Sequence, residues 1–204
     1  RVRLQAARDD RNIWTAMPAV SYIGNWNNFR DSDETRNEIS ALFNQLDFNL
    51  VDYYDGTAGQ RCPNLGEAGT ADELRGLISF MRGADYFDYN GNCEITEIRD
   101  HVQGDIYHSQ LIEIGSPDGS TQFTDNNQEA YYRTINNYQN FRAMYSQRRN
   151  VLYAGSNSGM LHAINAETGD EEWAFIPPFV AGRLPIIINQ QLDDVGNNNT
   201  GGSN

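Results

Sequence analysis

The residues with the most evident chemical potential lie in an oxygen-rich loop between residues 85 and 97. Asp88, Asn90 and Asn92 stand at positions 1, 3 and 5 of a loop of the EF-hand type, and the backbone carbonyl of Glu94 falls at position 7. Oxygen ligands at alternate positions surround a hard cation in such loops. The spacing therefore predicts a Ca²⁺ site.

The end of the same loop fits calcium less well. Position 12 would be Arg99, so Glu97 would have to supply the closing carboxylate. Cys93 stands where a glycine normally permits the sharp turn. Two interpretations therefore remain open, a Ca²⁺ site and a solvated turn rich in Asp and Asn. The candidate metal ligands are Asp88, Asn90, Asn92, Glu94 and Glu97.

Nucleophilic catalysis is the other chemistry to consider, because Asp105, His108 and Ser109 lie close together in the sequence. Adjacent side chains of a strand point to opposite faces, so His108 and Ser109 would diverge, and the chain has no GxSxG motif. We therefore predict no triad and no catalytic residue here. His162 shares one face of a predicted strand with apolar residues, which favours a hydrogen-bonded core histidine over a ligand or a catalyst.

The composition excludes several classes of function. All 15 basic residues are arginine, so the chain can form neither a Walker A loop nor a lysine Schiff base. The formal net charge is −13 and the arginines are scattered, which argues against nucleic acid as a partner. No apolar run approaches the roughly 20 residues that cross a bilayer, so we expect no membrane span.

Three short strands separated by two glycine turns are predicted between residues 150 and 177. The strands show period-2 alternation, and Gly159 and Gly169 lie in the two turns. Such a meander buries little apolar surface alone, so Trp173 and Phe175 require a neighbouring layer, which radially packed propeller blades provide. The predicted strands are Val151–Ala154, residues 160–165 and Trp173–Ile176.

The stretch from Tyr153 to Pro177 resembles the first-blade signature of the type IV pilus tip-associated adhesins, the PilY/PilC-type family. Upstream, Leu77–Gly83 and Gly104–Ser109 resemble that family's lead-in helix and first propeller strand, in the expected order. The three motifs together cover about residues 70 to 187. Ser158 departs from the pattern, since the family commonly has aspartate at that position.

The resemblance implies a non-enzymatic type IV pilus biogenesis protein and tip adhesin, whose propeller portion supports pilus assembly, retraction control and surface adhesion. The implied partners are the remainder of the propeller or a partner chain, pilins or minor pilins, and a host or surface ligand. The implied location is the exterior, at the cell surface, the pilus tip or the outer membrane. In an exported protein, Cys62 and Cys93 would form a disulfide, and two free thiols are the alternative.

Two other functions stay open at this point. Quinone-dependent propeller dehydrogenases carry a similar glycine and tryptophan blade signature, although they typically use a vicinal cysteine pair that this sequence lacks. A generic propeller scaffold that binds proteins through its loops is the other alternative. Quinone absorbance and dye-linked alcohol oxidation would distinguish the enzyme from the two binding functions.

Helices are predicted in the first half of the chain and once in the second half. The first helix would have Asp31 as its N-cap, and the second would run from about residue 70 to 82 and end at Gly83. We expect the apolar faces of both helices to pack against the sheet. A third helical stretch near residues 128–145 carries an aromatic stripe, although asparagines interrupt it.

The expected fold is mainly β with a helical lead-in, in which an incomplete β-propeller portion of about one to two blades follows a loop-rich, α-containing N-terminal region. Residues 1–103 would form the lead-in, and residues 104–204 the start of the propeller domain, ending in a flexible Gly/Asn-rich segment. A propeller needs roughly four to eight blades, so this ring cannot close by itself. We therefore expect a fragment or a processed product.

Overall fold

The computed structural model describes residues 10–18, 21–45, 70–85, 92, 94 and 96–184, with the backbone alone for 43–45 and 70–73. In chain order its elements are β1 (Ile13–Thr15), α1 (Asp33–Gln45), α2 (Thr70–Met81), β2 (Ile112–Ile114), α3 (Glu129–Ile135), α4 (Tyr138–Met144), β3 (Val151–Gly155), β4 (Leu161–Asn165), β5 (Glu171–Ile176) and α5 (Pro178–Ala181).

The strands form one sheet in the order β1-β5-β4-β3-β2. Strands β2 to β5 are an antiparallel meander, and β1 pairs in parallel with β5. Both predicted turns are present, because Gly159 has φ +79° and Gly169 has φ +77°, a conformation that glycine adopts at little cost. The three predicted strands of the meander are thus confirmed within a residue or two at their ends.

The structure corrects part of the expected fold class. The described residues form a mixed α/β unit rather than a mainly β one, and they contain a single sheet and no closed propeller or barrel. The arrangement of blades therefore remains a prediction.

The segment from Gly104 to Ser109 is not the predicted first strand. It lies beside the end of β3 and the turn that follows, where Asn157 N donates to Asp105 O (2.8 Å) and Gly155 N donates to Ser109 Oγ (2.9 Å). His108 has φ +61°, which interrupts an extended backbone, so no regular ladder forms. The meander begins instead at β2.

The helices follow the predictions with two differences. The N-cap of α1 is Ser32, not Asp31, because Ser32 Oγ accepts the hydrogen bond from Thr35 N at 3.2 Å. Helix α2 ends at Met81, and Gly83 follows with φ +106°. The third predicted helix is divided into α3 and α4 by Asn137, whose φ is +57°.

The apolar core lies between the helices and one face of the sheet. The predicted packing of the two lead-in helices against the sheet is therefore confirmed. The boundary between residues 103 and 104 stays a prediction, although β1 comes from the lead-in and pairs with a strand beyond that boundary. The core side chains are Ile13, Met17, Phe29, Ile39, Leu74, Leu77, Ile78, Phe80, Met81, Met160, Ala174, Ile176, Ala181 and Leu184.

Candidate functional site: a buried polar relay

The predicted calcium loop is described only in part, since Asp88 and Asn90 lie outside the described residues. Within the described part, Asn92 Oδ1 accepts from Glu94 N (2.8 Å) and Asn92 Nδ2 donates to Glu97 Oε1 (2.9 Å). Such local bonds are those of an Asx turn. No group of three or more His, Cys, Asp or Glu side chains in the described ranges could hold a metal ion. Calcium binding stays a prediction.

Other expectations fall on parts of the chain that are not described. Cys62 and Cys93 both lie outside the described residues, so their disulfide stays a prediction. The Gly/Asn-rich segment from Val195 to Asn204 lies outside them as well. Of the helices that are described, none has the length and apolar character needed to span a bilayer.

Five polar side chains form a continuous hydrogen-bonded row, which we call the polar relay. Arg11 donates from Nε to Glu171 Oε2 (2.8 Å) and from Nη2 to Glu171 Oε1 (2.9 Å). The same Oε1 lies 2.7 Å from His162 Nδ1, and His162 Nε2 lies 3.0 Å from Ser156 Oγ. Ser156 Oγ is 2.6 Å from Ser158 Oγ. The relay thus joins the segment just before β1 to β5, β4 and the turn after β3.

A β-bulge places Glu171 in the relay. The register pairs Ala163 with Trp173 and then Ile164 with Glu171, so Glu172 has no partner on β4. Strict alternation would put Glu171 on the same face as Trp173. The extra residue in β5 reverses this, and the Glu171 side chain lies on the face that carries His162.

Arg11 is placed by the strand that follows it and by α2. Ala174 N donates to Asn12 O at 2.8 Å, which fixes the start of β1 against β5. The guanidinium Nη1 of Arg11 donates to Met81 O at 3.2 Å, and Arg82 Nη2 donates to the Arg11 carbonyl at 2.9 Å. Arg11 therefore links the sheet to the end of the lead-in helix.

The relay is a desolvated ion pair. The side chains of Arg11 and Glu171 are 2% and 4% exposed. Burial by itself would raise the pKa of the Glu171 carboxyl, but hydrogen bonds from His162 and Arg11, with the charge of Arg11, lower that pKa to about 2. Glu171 is therefore ionised throughout the physiological range.

The order Ser156, His162, Glu171 matches the connectivity of a serine hydrolase relay, in which a carboxylate orients the histidine that activates the serine. Arg11 occupies both oxygens of Glu171, which reduces the ability of the carboxylate to stabilise an imidazolium. The Ser158 hydroxyl is hydrogen-bonded to the Ser156 hydroxyl. Gly104 lies so close to Ser158 that a Cβ on residue 104 would be 2.7 Å from the Ser158 backbone nitrogen. We interpret the relay as a structural network that joins β1 to the meander.

Sequence reasoning found one member of the relay. His162 was predicted as a hydrogen-bonded core residue, and this is confirmed, since it is 1% exposed and both ring nitrogens have partners. Its partners were missed. A weak signal was available in Glu171, a charged residue two positions before the predicted strand Trp173–Ile176, because a carboxylate that the extended strand buries requires a partner.

The opposite face of the sheet carries a row of half-buried aromatic rings, which we call the aromatic face. The ring centroids of Trp14 and Phe175 are 4.3 Å apart, those of Trp14 and Trp173 are 6.0 Å apart, and those of Tyr153 and Trp173 are 5.8 Å apart. Trp26 extends the row from the side, 5.2 Å from Trp14, and is 57% exposed. The rings contact one another, and those of Trp14, Tyr153, Trp173 and Phe175 are half-buried.

Comparison with known proteins gives two similar relatives. A "Type IV pilus biogenesis factor PilY1 homolog" from Xylella fastidiosa is 35% identical over 127 residues, which are 62% of this chain and 10% of that protein. The "Type IV pilus biogenesis factor PilY1" of Pseudomonas aeruginosa is 34% identical over 107 residues, which are 52% of this chain and 8% of that protein. No family model and no solved structure matches.

The matched segment accounts for about a tenth of the length of these curated relatives. Its identity of 34–35% extends over more than half of the chain in both alignments. The resemblance inferred from the blade signature, the lead-in helix and their order is thereby confirmed. Over the aligned part of its length, this chain is similar to PilY1-type type IV pilus biogenesis factors.

Proposed function

We propose that this chain is a structural, non-enzymatic portion of a type IV pilus biogenesis factor. The observation that carries the proposal is the identity to two proteins named as such factors. On this proposal the parent protein acts at the cell envelope or surface together with pilus components. Support for pilus assembly, retraction control and adhesion are the finer parts of the same proposal.

The geometry favours a role for the sheet as one blade of a larger propeller. Four antiparallel strands that follow one another in chain order, β2 to β5, are the arrangement of a propeller blade. The aromatic face offers the large apolar side chains that a neighbouring sheet would cover. The polar relay would then hold the lead-in on this blade, on the face away from that neighbour.

A chimera tests the pilus role directly. The aligned segment of the Pseudomonas aeruginosa relative is replaced by the corresponding segment of this chain, in cells that lack the native copy. If the segment has the proposed role, surface piliation, measured by electron microscopy and sheared-pilin immunoblots, is restored. A chimera that is present at native level but leaves the cells without pili contradicts the proposal.

Two controls make the result interpretable. In the whole chain, which unlike the 107-residue segment contains both partners, Arg11→Met breaks the buried ion pair with Glu171 and should reduce the amount of folded protein, which urea denaturation measures. For the non-enzymatic part, the purified chain is examined for quinone absorbance and dye-linked alcohol oxidation. A turnover signal that depends on bound quinone would favour the dehydrogenase alternative.

A further inference from the structure

The two edges of the five-stranded sheet differ in how their backbone groups are satisfied. At the β1 edge, the lead-in supplies partners to Ile13 and Thr15. Asn27 Oδ1 accepts from Ile13 N (3.4 Å), and Phe29 N donates to Ile13 O (3.0 Å). Asn28 Oδ1 accepts from Thr15 N (2.8 Å), and Asn28 Nδ2 donates to Thr15 O (2.9 Å). This edge is therefore closed to a further strand.

The opposite edge, formed by β2, is open. Strand β2 pairs with β3 on one side, and within the described part of the chain no other hydrogen bond reaches the backbone of residues 111–114. In an antiparallel pair, alternate residues direct their N–H and C=O groups away from the neighbouring strand. All three residues of β2 are exposed, and none is a proline or a lysine, which commonly protect an edge. An extended backbone has donors and acceptors at the spacing of such an edge.

The side chains of β2 give its two faces different chemistry. Ile112 lies opposite Tyr153 in the register, and Ile114 is on the same side, so both extend the aromatic face. They are 51% and 46% exposed. Glu113 lies on the other face, where Asn150 Nδ2 donates to its Oε1 at 2.6 Å. A strand added to β2 would therefore meet apolar groups on one face and an oriented carboxylate on the other.

The charge at this edge favours a partner with a basic residue. The nearby arginines are already engaged, since Arg148 Nε donates to Gly115 O (2.7 Å) and Arg149 pairs with Glu172 (2.9 Å). Opposite charges directly across two paired strands stabilise the pair, and like charges destabilise it. A second copy that paired about a two-fold axis at Glu113 would set two glutamates against each other. A different strand with a basic residue at that position avoids this repulsion.

We propose that the β2 edge is a β-augmentation site for an extended segment of another polypeptide, with apolar side chains at alternate positions and a lysine or arginine between them. The backbone of that segment completes the outward hydrogen bonds of β2. Its apolar side chains pack beside Ile112 and Ile114, and its basic side chain pairs with Glu113. This interaction goes beyond the proposed function and does not depend on the pilus role.

Fluorescence anisotropy tests the site with the whole chain and a fluorescein-labelled heptapeptide of alternating valine and lysine, blocked at both ends. Saturable binding is expected. A peptide with glutamate in place of lysine should bind about tenfold more weakly, because like charges then face Glu113. A peptide of the same composition with its valines grouped together should lose affinity to a similar extent, because its side chains no longer divide between two faces.

Backbone methylation distinguishes edge pairing from contact with a face of the sheet. The N–H groups of an extended peptide point alternately to its two edges. Methylation of one set, the valine or the lysine nitrogens, should therefore abolish binding, whereas methylation of the other set should leave it within about twofold, since only one set can face β2. Amide hydrogen exchange at residues 111–114 should slow in the bound chain.

A charge reversal tests the role of the carboxylate. Glu113→Lys should weaken binding of the lysine peptide about tenfold and strengthen binding of the glutamate peptide. The matched control Glu129→Lys changes the net charge equally, at a side chain on α3 that is 82% exposed. It should bind both peptides within about twofold of the unchanged chain. Thermal unfolding of both variants measures whether the fold is retained.

Several results overturn the proposal. They are the absence of saturable binding, equal binding of the lysine and glutamate peptides, equal effects of the two methylation patterns, and slowed exchange only outside the β2 edge. A chain dimer that protects residues 111–114 would assign the edge to self-association and also overturn it. The methylated peptides are used with the unchanged chain, so their result stands even if Glu113→Lys fails to fold.

Discussion

The two faces of the sheet are completed in different ways. On one face, Ile13, His162 and Ile176 are each at most 1% exposed, covered by lead-in residues and crossed by the polar relay. On the other face, Tyr153, Trp173 and Phe175 are half-buried against one another. The first face obtains its packing and its hydrogen bonds from within the chain. The second obtains only part of its packing there.

The face that carries the polar relay is therefore complete within the chain, and the aromatic face is not. Buried charge is tolerated only when every partner is in place, so the relay face must be complete in the folded chain. Half-buried aromatic rings tolerate incomplete cover, at the cost of stability that a second layer would add.

The largest effect is expected from Arg11→Met. The substitution keeps most of the apolar stem but leaves the Glu171 carboxylate buried without its cation, which should lower the free energy of unfolding by about 3–5 kcal/mol. Urea denaturation followed by tryptophan fluorescence measures the change. The control Arg149→Met removes an ion pair whose arginine is 64% exposed and should cost less than about 1 kcal/mol. Equal losses would mean that burial does not distinguish the two pairs.

The pH dependence of stability should reveal the same carboxylate. The Arg11 and His162 hydrogen bonds lower the pKa of Glu171 to about 2 in the folded chain, from an ordinary value of 4.5. A lowered folded pKa stabilises the protein above the unfolded pKa, and this contribution of about 3 kcal/mol is lost as the pH falls from about 4.5 through 2. Glu171→Gln should flatten the slope in that window, whereas Glu129→Gln, on an exposed pair, should leave it unchanged. An unaltered slope in Glu171→Gln would contradict the buried pair.

The aromatic face should respond more weakly. Trp173→Ala removes a ring that is only partly buried in this chain, so we expect a loss of about 1–2 kcal/mol, together with weaker binding of a hydrophobic dye. Ile176→Ala on the opposite face removes a fully buried side chain and should cost about 2–5 kcal/mol. If Trp173→Ala lowers the free energy of unfolding more than Ile176→Ala does, the rings of the aromatic face are more fully buried than their half-buried state in this structure.

The smallest effect is expected at the end of the relay. Ser158→Ala removes the 2.6 Å contact with Ser156 and should lower the free energy of unfolding by about 1 kcal/mol, the typical value of one hydrogen bond. Ser146→Ala, in the exposed turn after α4, serves as the control and should change the free energy of unfolding by a few tenths of a kcal/mol. If Ser158→Ala leaves the stability unchanged, the relay ends at Ser156.

Local patterns in the sequence predicted the local elements. Helix α2 has an apolar face and a stop at Gly83, and both hairpins of the meander have turn residues that reverse the chain, so these elements were found close to their observed limits. The predictions were wrong where a segment distant in the sequence determines the local structure. The segment from residue 104 to 109 has strand-like residues, but its hydrogen bonds go to a turn, and β1 is recognisable only once β5 lies beside it.

The polar relay likewise combines features that local sequence predicts with features that depend on distant segments. Three features followed from the sequence alone, because each depends on residue types and their spacing along one segment. They are the burial of His162, the period-2 strands and the exclusion of lysine chemistry. Two further features depend on how the strands pack together. One extra residue in β5 places Glu171 on the face of His162. Arg11, 160 positions away in the chain, neutralises the Glu171 carboxylate. Alternation is a property of a strand, whereas bulges and ion pairs between distant segments depend on how strands are packed together.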